Sequence, residues 1–287
     1  FVPTSDNQVL QTLPARAADP VAKDLATLRS SASRRPKDPD TQAALVQRYV
    51  DLANAQGDPR YIGYADAVVS AFAGPLSPEL LTLKGVLRQY RHDFQGALQD
   101  FAQALTLDPG YAQAHAWRGA IYLVQADYSA VRKECTALKQ LGRDALHGAC
   151  LGLTQSYSGD LSAGYETLRQ ALAQARSTAS QLWLLTRMGE VAAWQGQTAI
   201  ARQHYQQALA LGQDDIYLLA AWSDFLLDNG QAADVAKLLS SWESADSLLV
   251  RLAIAETLTD SPKAAAHVKM LADRFAAARA RGDTTHL

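Results

Sequence analysis

The sequence lacks the features that would place it in several functional classes. Its 287 residues carry 27 Lys and Arg against 29 Asp and Glu, for a formal net charge of −2. Because there is no basic excess to neutralise a phosphate backbone, we do not expect nucleic acid as a partner. No run of about 18 apolar residues occurs, so the sequence predicts no transmembrane segment. Two cysteines are too few for a disulfide framework.

Motifs of catalysis and of cofactor binding are also missing. The chain has no HExxH, GxSxG, GxGxxG or phosphate-loop pattern. None of its six histidines stands four residues from another, which argues against a metal site on a helix. The sequence therefore predicts a protein that is not an enzyme and that has no cofactor and no metal site.

What the sequence does contain is an internal repeat. A pair of small or turn-forming residues recurs at steps of 35, 34, 33, 37 and 34 residues. The six pairs are Gly57-Asp58, His92-Asp93, Ala126-Asp127, Gly159-Asp160, Gly196-Gln197 and Gly230-Gln231. A glycine stands seven residues before four of these pairs, at Gly85, Gly119, Gly152 and Gly189. A period near 34 residues, with helical spacing of apolar residues between the markers, predicts a superhelical array of helix pairs.

Residues 78–111 resemble a tetratricopeptide repeat almost position for position. The matching residues are Leu81, Gly85, Phe94, Ala97, Phe101, Ala104, Leu107 and Pro109. Related units follow in register, and the resemblance covers roughly residues 40–280. It implies an all-α fold, a right-handed superhelical solenoid of antiparallel helix pairs with about six to seven pairs. It also implies a function in binding other proteins.

On this interpretation the chain has three parts. Residues 1–40 are an N-terminal extension and a lead-in helix, which starts at Asp19-Pro20 and fades at Ser30-Ser31. Residues 41–282 form the repeat array. Residues 283–287 are interpreted as the start of a further, truncated segment, so we expect the natural protein to continue past Leu287.

Small residues recur in the unit at 145–177. Gly148, Gly152 and Ser156 follow one another four residues apart, on one face of the predicted helix. In a membrane this stripe would indicate helix dimerisation. In a soluble repeat it predicts that a neighbouring helix comes close.

The candidate binding residues lie on the first helices of the units, which line the concave face in tetratricopeptide proteins. Trp183, Arg187, Glu190 and Trp194 form one stripe, and the others are assigned by repeat position. The full set is Tyr90, Tyr157, Trp183, Arg187, Glu190, Trp194, Tyr217 and Asp224. Aromatic walls with scattered charge predict a groove for a peptide or protein. The alternative is that these aromatic residues pad the contacts between neighbouring units.

The two cysteines are candidates for a disulfide. Cys135 and Cys150 stand about seven residues on either side of a turn near Gly142-Arg143, so two antiparallel helices would bring them to the same height. The alternative is a pair of reduced core thiols. A disulfide would indicate an oxidising compartment such as the periplasm, with the cytoplasm as the alternative location.

The predicted function is therefore a non-catalytic scaffold that binds a peptide or protein partner in a concave groove. Two alternatives stay open at this stage. One is an accessory factor for cell-envelope assembly or polymer export. The other is the repeat handle of a larger enzyme.

Overall fold

The computed structural model describes residues 20–280, and over this range the chain forms fifteen α-helices and no strand. The helices are α1 (Pro20–Arg34), α2 (Pro39–Gln56), α3 (Arg60–Ala71), α4 (Pro78–Tyr90), α5 (Phe94–Leu107), α6 (Ala112–Val124), α7 (Tyr128–Gln140), α8 (Asp144–Tyr157), α9 (Leu161–Gln174), α10 (Thr178–Trp194), α11 (Thr198–Ala210), α12 (Ile216–Asp228), α13 (Ala232–Leu238), α14 (Asp246–Leu258) and α15 (Ala264–Ala280). The prediction of an all-α helical repeat is confirmed. The predictions for residues 1–18 and 283–287 lie outside the described range.

The recurring residue pairs mark the tight turn inside each unit. The first residue of every pair has a positive φ, between 57° and 103°, which ends the first helix in a left-handed conformation. In three pairs an aspartate follows and caps the second helix. Asp93, Asp127 and Asp160 each accept a hydrogen bond from the backbone N–H three residues later. The repeat period is therefore the spacing of these stop-and-start signals.

The lead-in helix α1 runs further than the sequence predicts. It ends at Arg34 rather than fading at Ser30-Ser31, because Ala32 is buried in the core. The side-chain amide of Gln42 donates to the carbonyl of Ala32 at 3.0 Å and to that of Arg35 at 3.2 Å. A contact from α2 thus satisfies carbonyl groups that the end of α1 leaves open.

The helices form two layers of unequal radius. We call α2, α4, α6, α8, α10, α12 and α14 the first helices, and α3, α5, α7, α9, α11, α13 and α15 the second helices. Each first helix contacts the next first helix, whereas no two consecutive second helices approach each other within residues 20–280. Helices that crowd together lie on the inside of a curve, so the first helices form the inner layer.

The inner layer closes on itself. The C-terminal end of α2 contacts α12, so α2, α4, α6, α8, α10 and α12 form a circle of contacts. A methyl group placed on Gly57 would lie 2.6 Å from Cβ of Ala245 and 3.1 Å from Cδ1 of Ile216. Ala245 is fully buried at this junction. Only glycine suits position 57, since φ there is +63° as well.

One repeat position on the second helices fills the space between the two layers. Its occupants are Phe101, Cys135, Leu168, Tyr205 and Leu239, and all five side chains are buried. Phe101 packs on Gly85 and Tyr205 packs on Gly189, where an added Cβ would lie 2.4 Å and 2.9 Å from the rings. This position therefore supplies much of the core volume in each unit.

Candidate functional site

The eight predicted binding residues all belong to first helices, in α4, α8, α10 and α12. Four aromatic side chains among them remain accessible. Trp183 is 39% exposed, Tyr157 and Tyr217 are each 44% exposed, and Trp194 is 47% exposed. Large aromatic groups that folding leaves this accessible are available for contact with another molecule.

Arg187 links α10 to α12. Its guanidinium lies 4.0 Å from the ring centroid of Tyr217 and 5.4 Å from that of Trp183. Arg187 Nη1 also donates to Glu190 Oε2 at 3.0 Å, and the hydroxyl of Tyr217 donates to Glu190 Oε1 at 2.5 Å. The four side chains thus hold one another in place through an ion pair, a hydrogen bond and cation–π contacts.

Burial sets the protonation states in this cluster. It raises the pKa of Tyr217 above the ordinary 10.0; the charge of Arg187 opposes this shift and that of Glu190 adds to it. Burial also raises the pKa of Tyr157. For Arg187, burial works to lower the pKa, but the charge of Glu190 and the other neighbours outweigh it and leave that pKa raised. Both phenols are therefore neutral and Arg187 is charged at neutral pH.

Tyr157 and Trp194 extend the same face toward α8. Their ring centroids lie 5.3 Å apart with an interplanar angle of 76°, an edge-to-face arrangement. Tyr157 ends α8 and Trp194 ends α10, so the contact joins the same edge of two consecutive first helices.

Asp224 continues the face toward α14. Both of its carboxylate oxygens accept hydrogen bonds from Arg251, at 2.8 Å and 2.6 Å. The sequence argument missed Arg251, although it lies 34 residues after Tyr217, which lies 34 after Trp183. Extending the repeat position by one more unit would have found it.

Tyr90 does not join the other seven residues. It packs against the N-terminal core cluster, and α4 has no contact with α8, α10 or α12 within residues 20–280. The equivalent position in the intervening helix α6 is Val124, so the aromatic series is interrupted there. We therefore define the aromatic face as the remaining seven residues, Tyr157, Trp183, Arg187, Glu190, Trp194, Tyr217 and Asp224.

A cavity of about 310 Å³ opens beside this face, between the C-terminal ends of α10 and α12. Its lining residues are Glu190, Ala193, Trp194, Thr198, Tyr205, Ala221, Asp224, Phe225, Asp228 and Asn229. Three of them were predicted as binding residues. Ala221 and Asp228 take the positions that Arg187 and Trp194 hold one unit earlier, and the smaller side chains leave the space open.

A second cavity, of about 520 Å³, lies between α1, α2 and α3. It borders a group of tyrosines, in which the ring centroids of Tyr49 and Tyr64 are 5.7 Å apart and those of Tyr49 and Tyr61 are 6.2 Å apart. Arg29 donates to the hydroxyl of Tyr49 at 2.7 Å. The sequence argument did not single out these residues, because the repeat pattern is weak in the first unit.

The two cysteines face each other across α7 and α8. Their Cα atoms lie 5.5 Å apart and their sulfur atoms 2.02 Å apart, which is disulfide geometry. The predicted same height of the two side chains is thus what the helix pairing produces. Formation of the bond in the protein's own compartment stays a prediction.

Solved structures with the same fold come from several organisms. A tetratricopeptide repeat protein from Parabacteroides merdae aligns with a TM-score of 0.56 and 12% identity, over 82% of this chain and 92% of that one. Yeast Tom70 aligns with a TM-score of 0.58 and 14% identity, over 88% of this chain and 55% of that one. A chain of the APC/C hetero-tetramer Cut9–Hcn1 aligns with 0.56 and 15%, over 88% and 49%.

These comparisons show the fold. The chain is a tetratricopeptide-type solenoid of antiparallel helix pairs, and it spans about half the length of the Tom70 and Cut9–Hcn1 chains. No protein-family model and no curated protein sequence matches it. Within residues 20–280, no helix is both long enough and apolar enough to cross a membrane.

Proposed function

We propose that this protein is a non-catalytic scaffold that binds a peptide or protein partner on the aromatic face. One observation carries the proposal: four aromatic side chains are held in place by contacts between helices and still expose 39–47% of their surface. Rigid aromatic groups lose little side-chain entropy on binding, and they dominate the energy of many protein interfaces.

The competing interpretation is that these aromatic residues only pad the contacts between units. Trp194 does pack on Tyr157, and Arg187 does pack on Tyr217. Padding accounts for the contacts, but it does not account for the exposure of both indoles on the inner layer. The two interpretations differ in what they predict for partner binding and for stability.

The test is a quantitative pull-down with the intact protein and with Trp183→Ala/Trp194→Ala. Truncation of a hot-spot aromatic costs about 2 kcal/mol or more, so we expect capture of a specific partner to fall more than about tenfold. The matched control is Leu107→Ala/Ile200→Ala, which removes two exposed apolar side chains from second helices. This control variant should retain the partner.

Thermal unfolding of the same variants separates the two interpretations. If the aromatic face binds a partner, the double tryptophan variant should lose binding while its melting temperature falls only modestly. A large fall in melting temperature with unchanged capture would identify the indoles as padding and overturn the proposal.

We also propose that the protein works in an oxidising compartment, as an exported or periplasmic protein. The proposal is supported by Cα atoms of Cys135 and Cys150 that lie 5.5 Å apart, within the range of about 4.4–6.8 Å that a disulfide needs. Cytosolic thiols are normally kept reduced. The test is a thiol titration in denaturant, without reductant, on protein purified from its natural compartment. Two reactive thiols per chain would overturn it and favour the cytoplasm.

A further inference from the structure

The cavity between α10 and α12 has an unusual combination of walls. Trp194, Tyr205 and Phe225 supply aromatic surface, and Glu190, Asp224 and Asp228 supply carboxylates. None of the ten lining residues is a lysine or an arginine. An apolar side chain would desolvate the carboxylates without replacing their hydrogen bonds, and an anion would be repelled, so neither suits this cavity.

The backbone adds to the negative potential. Helix α10 ends at Trp194 and helix α12 ends at Asp228, and both residues line the cavity. The C-terminal end of a helix carries a partial negative charge of roughly half an elementary charge. Two helix ends therefore point the same sign of charge at the space that the carboxylates border.

One of the three carboxylates is left without a counter-charge. Glu190 pairs with Arg187, and Asp224 pairs with Arg251. Within residues 20–280, Asp228 has no salt bridge to a cationic side chain. One unit earlier, the guanidinium of Arg187 lies at the position that Ala221 holds here. The cavity thus occupies the place where the preceding unit has its own arginine.

We infer that this cavity binds a cationic side chain, lysine or arginine, that the partner presents to the aromatic face. The inference rests on the proposed function and names the chemistry of the partner's anchor residue. The aliphatic part of such a side chain packs against Phe225 and Trp194, while its charged end reaches Asp228 and gains a cation–π contact with the indole. A volume of about 310 Å³ is near the lower limit of ligand sites, about 300 Å³, and suits one long side chain.

The test uses small probes, because they need no knowledge of the partner. N-acetyl-arginine amide, N-acetyl-lysine amide and the neutral N-acetyl-norleucine amide are titrated into the full chain, and the indole N–H signal of Trp194 is followed by NMR. Ligands of this size bind at about millimolar concentration. We expect the two cationic probes to shift this signal, with affinity at least about tenfold above that of the neutral probe.

Variants then locate the site. Asp228→Asn should weaken the cationic probes about tenfold, and Ala221→Arg should abolish their binding by placing a guanidinium in the cavity. Asp214→Asn removes an exposed carboxylate from the turn before α12, outside the cavity lining, and should leave binding unchanged. Circular dichroism verifies that each variant is folded.

Two outcomes would overturn the inference. One is equal binding of the neutral and cationic probes, and the other is no shift of the Trp194 signal by any probe up to about 50 mM, well above the expected affinity. The proposed function fails separately. If Trp183→Ala/Trp194→Ala loses the partner and Asp228→Asn keeps it fully, the aromatic face binds a partner but its anchor is not cationic.

Discussion

The pairs α4/α5 and α8/α9 share one fold but pack their two layers by different means. In α4/α5 the ring of Phe101 covers Gly85, and α10/α11 repeats this with Tyr205 on Gly189. In α8/α9 the backbones themselves come together. A methyl group on Gly148 would lie 2.8 Å from Cβ of Ala171, and one on Gly152 would lie 2.7 Å from Leu168.

The pair α6/α7 lies between these two and uses a third solution. Cys135 stands at the repeat position of Phe101, and its partner Cys150 lies 3.6 Å from the point that a methyl group on Gly119 would reach. The repeat therefore demands that the space between the layers be filled, and it accepts an aromatic ring, a pair of sulfur atoms or a closer approach of backbones. The three solutions should respond differently to mutation.

The largest expected effect is at the aromatic-filled pair. Phe101→Ala removes a fully buried ring above a glycine and should destabilise the protein by about 3–5 kcal/mol. Leu168→Ala, at the same repeat position in α9, should cost less, about 2–3 kcal/mol, because its neighbours are already packed close. Urea unfolding followed by circular dichroism measures both. The control is Leu107→Ala on α5, which is exposed and should cost less than about 0.5 kcal/mol.

Equal losses for Phe101→Ala and Leu168→Ala would break the comparison. They would show that the depth of burial at this position determines the energy, and that the way in which the space is filled does not.

The next effect is at the pair filled by sulfur. The disulfide closes a loop with a sequence separation of 15 residues, for which the chain-entropy estimate is about 3 kcal/mol. We expect dithiothreitol to lower the melting temperature of the oxidised protein. Cys135→Ala/Cys150→Ala should melt at a lower temperature than the oxidised protein and should not respond to the reductant. An oxidised protein whose melting temperature ignores reduction would contradict the prediction.

The smallest effect has opposite signs at two glycines. Gly152→Ala places a methyl group against Leu168 and the carbonyl of Gly164, and should destabilise by about 1–3 kcal/mol. Gly63→Ala in α3 meets nothing within 4 Å, and should stabilise by about 0.5–1 kcal/mol through helix propensity. Thermal unfolding of both variants checks the pair. Stabilisation by Gly152→Ala would show that α8 and α9 are not in close contact.

Much of the fold was accessible from the sequence, because its signals are local. The residue pair at each tight turn combines a left-handed residue with a helix cap, and the four residues around it determine both. The stripe of Gly148, Gly152 and Ser156 likewise indicated close helix approach, and α8 and α9 do pack in this way. Such patterns depend only on neighbours along one or two helices.

The candidate site was accessible only in part. Repeat position placed Tyr217 beside Trp183 and Glu190, since equivalent residues of consecutive first helices lie next to each other. It placed Tyr90 in the same series, but three helices along the inner layer separate it from α10. It missed Arg251 and Asp228, whose side chains differ in type from the aromatic residues that they replace.

The sequence by itself determined that the chain is a helical repeat, where most of its helices begin and end, and which helices form its inner layer. Only the tertiary structure decided that α2 meets α12 at Gly57, that Ala221 leaves a cavity beside Asp228, and that Cys135 faces Cys150. The physical reason is that helix pairing is encoded within about 34 residues, whereas curvature sums small rotations over many units. A contact between residues 57 and 245 depends on every unit between them.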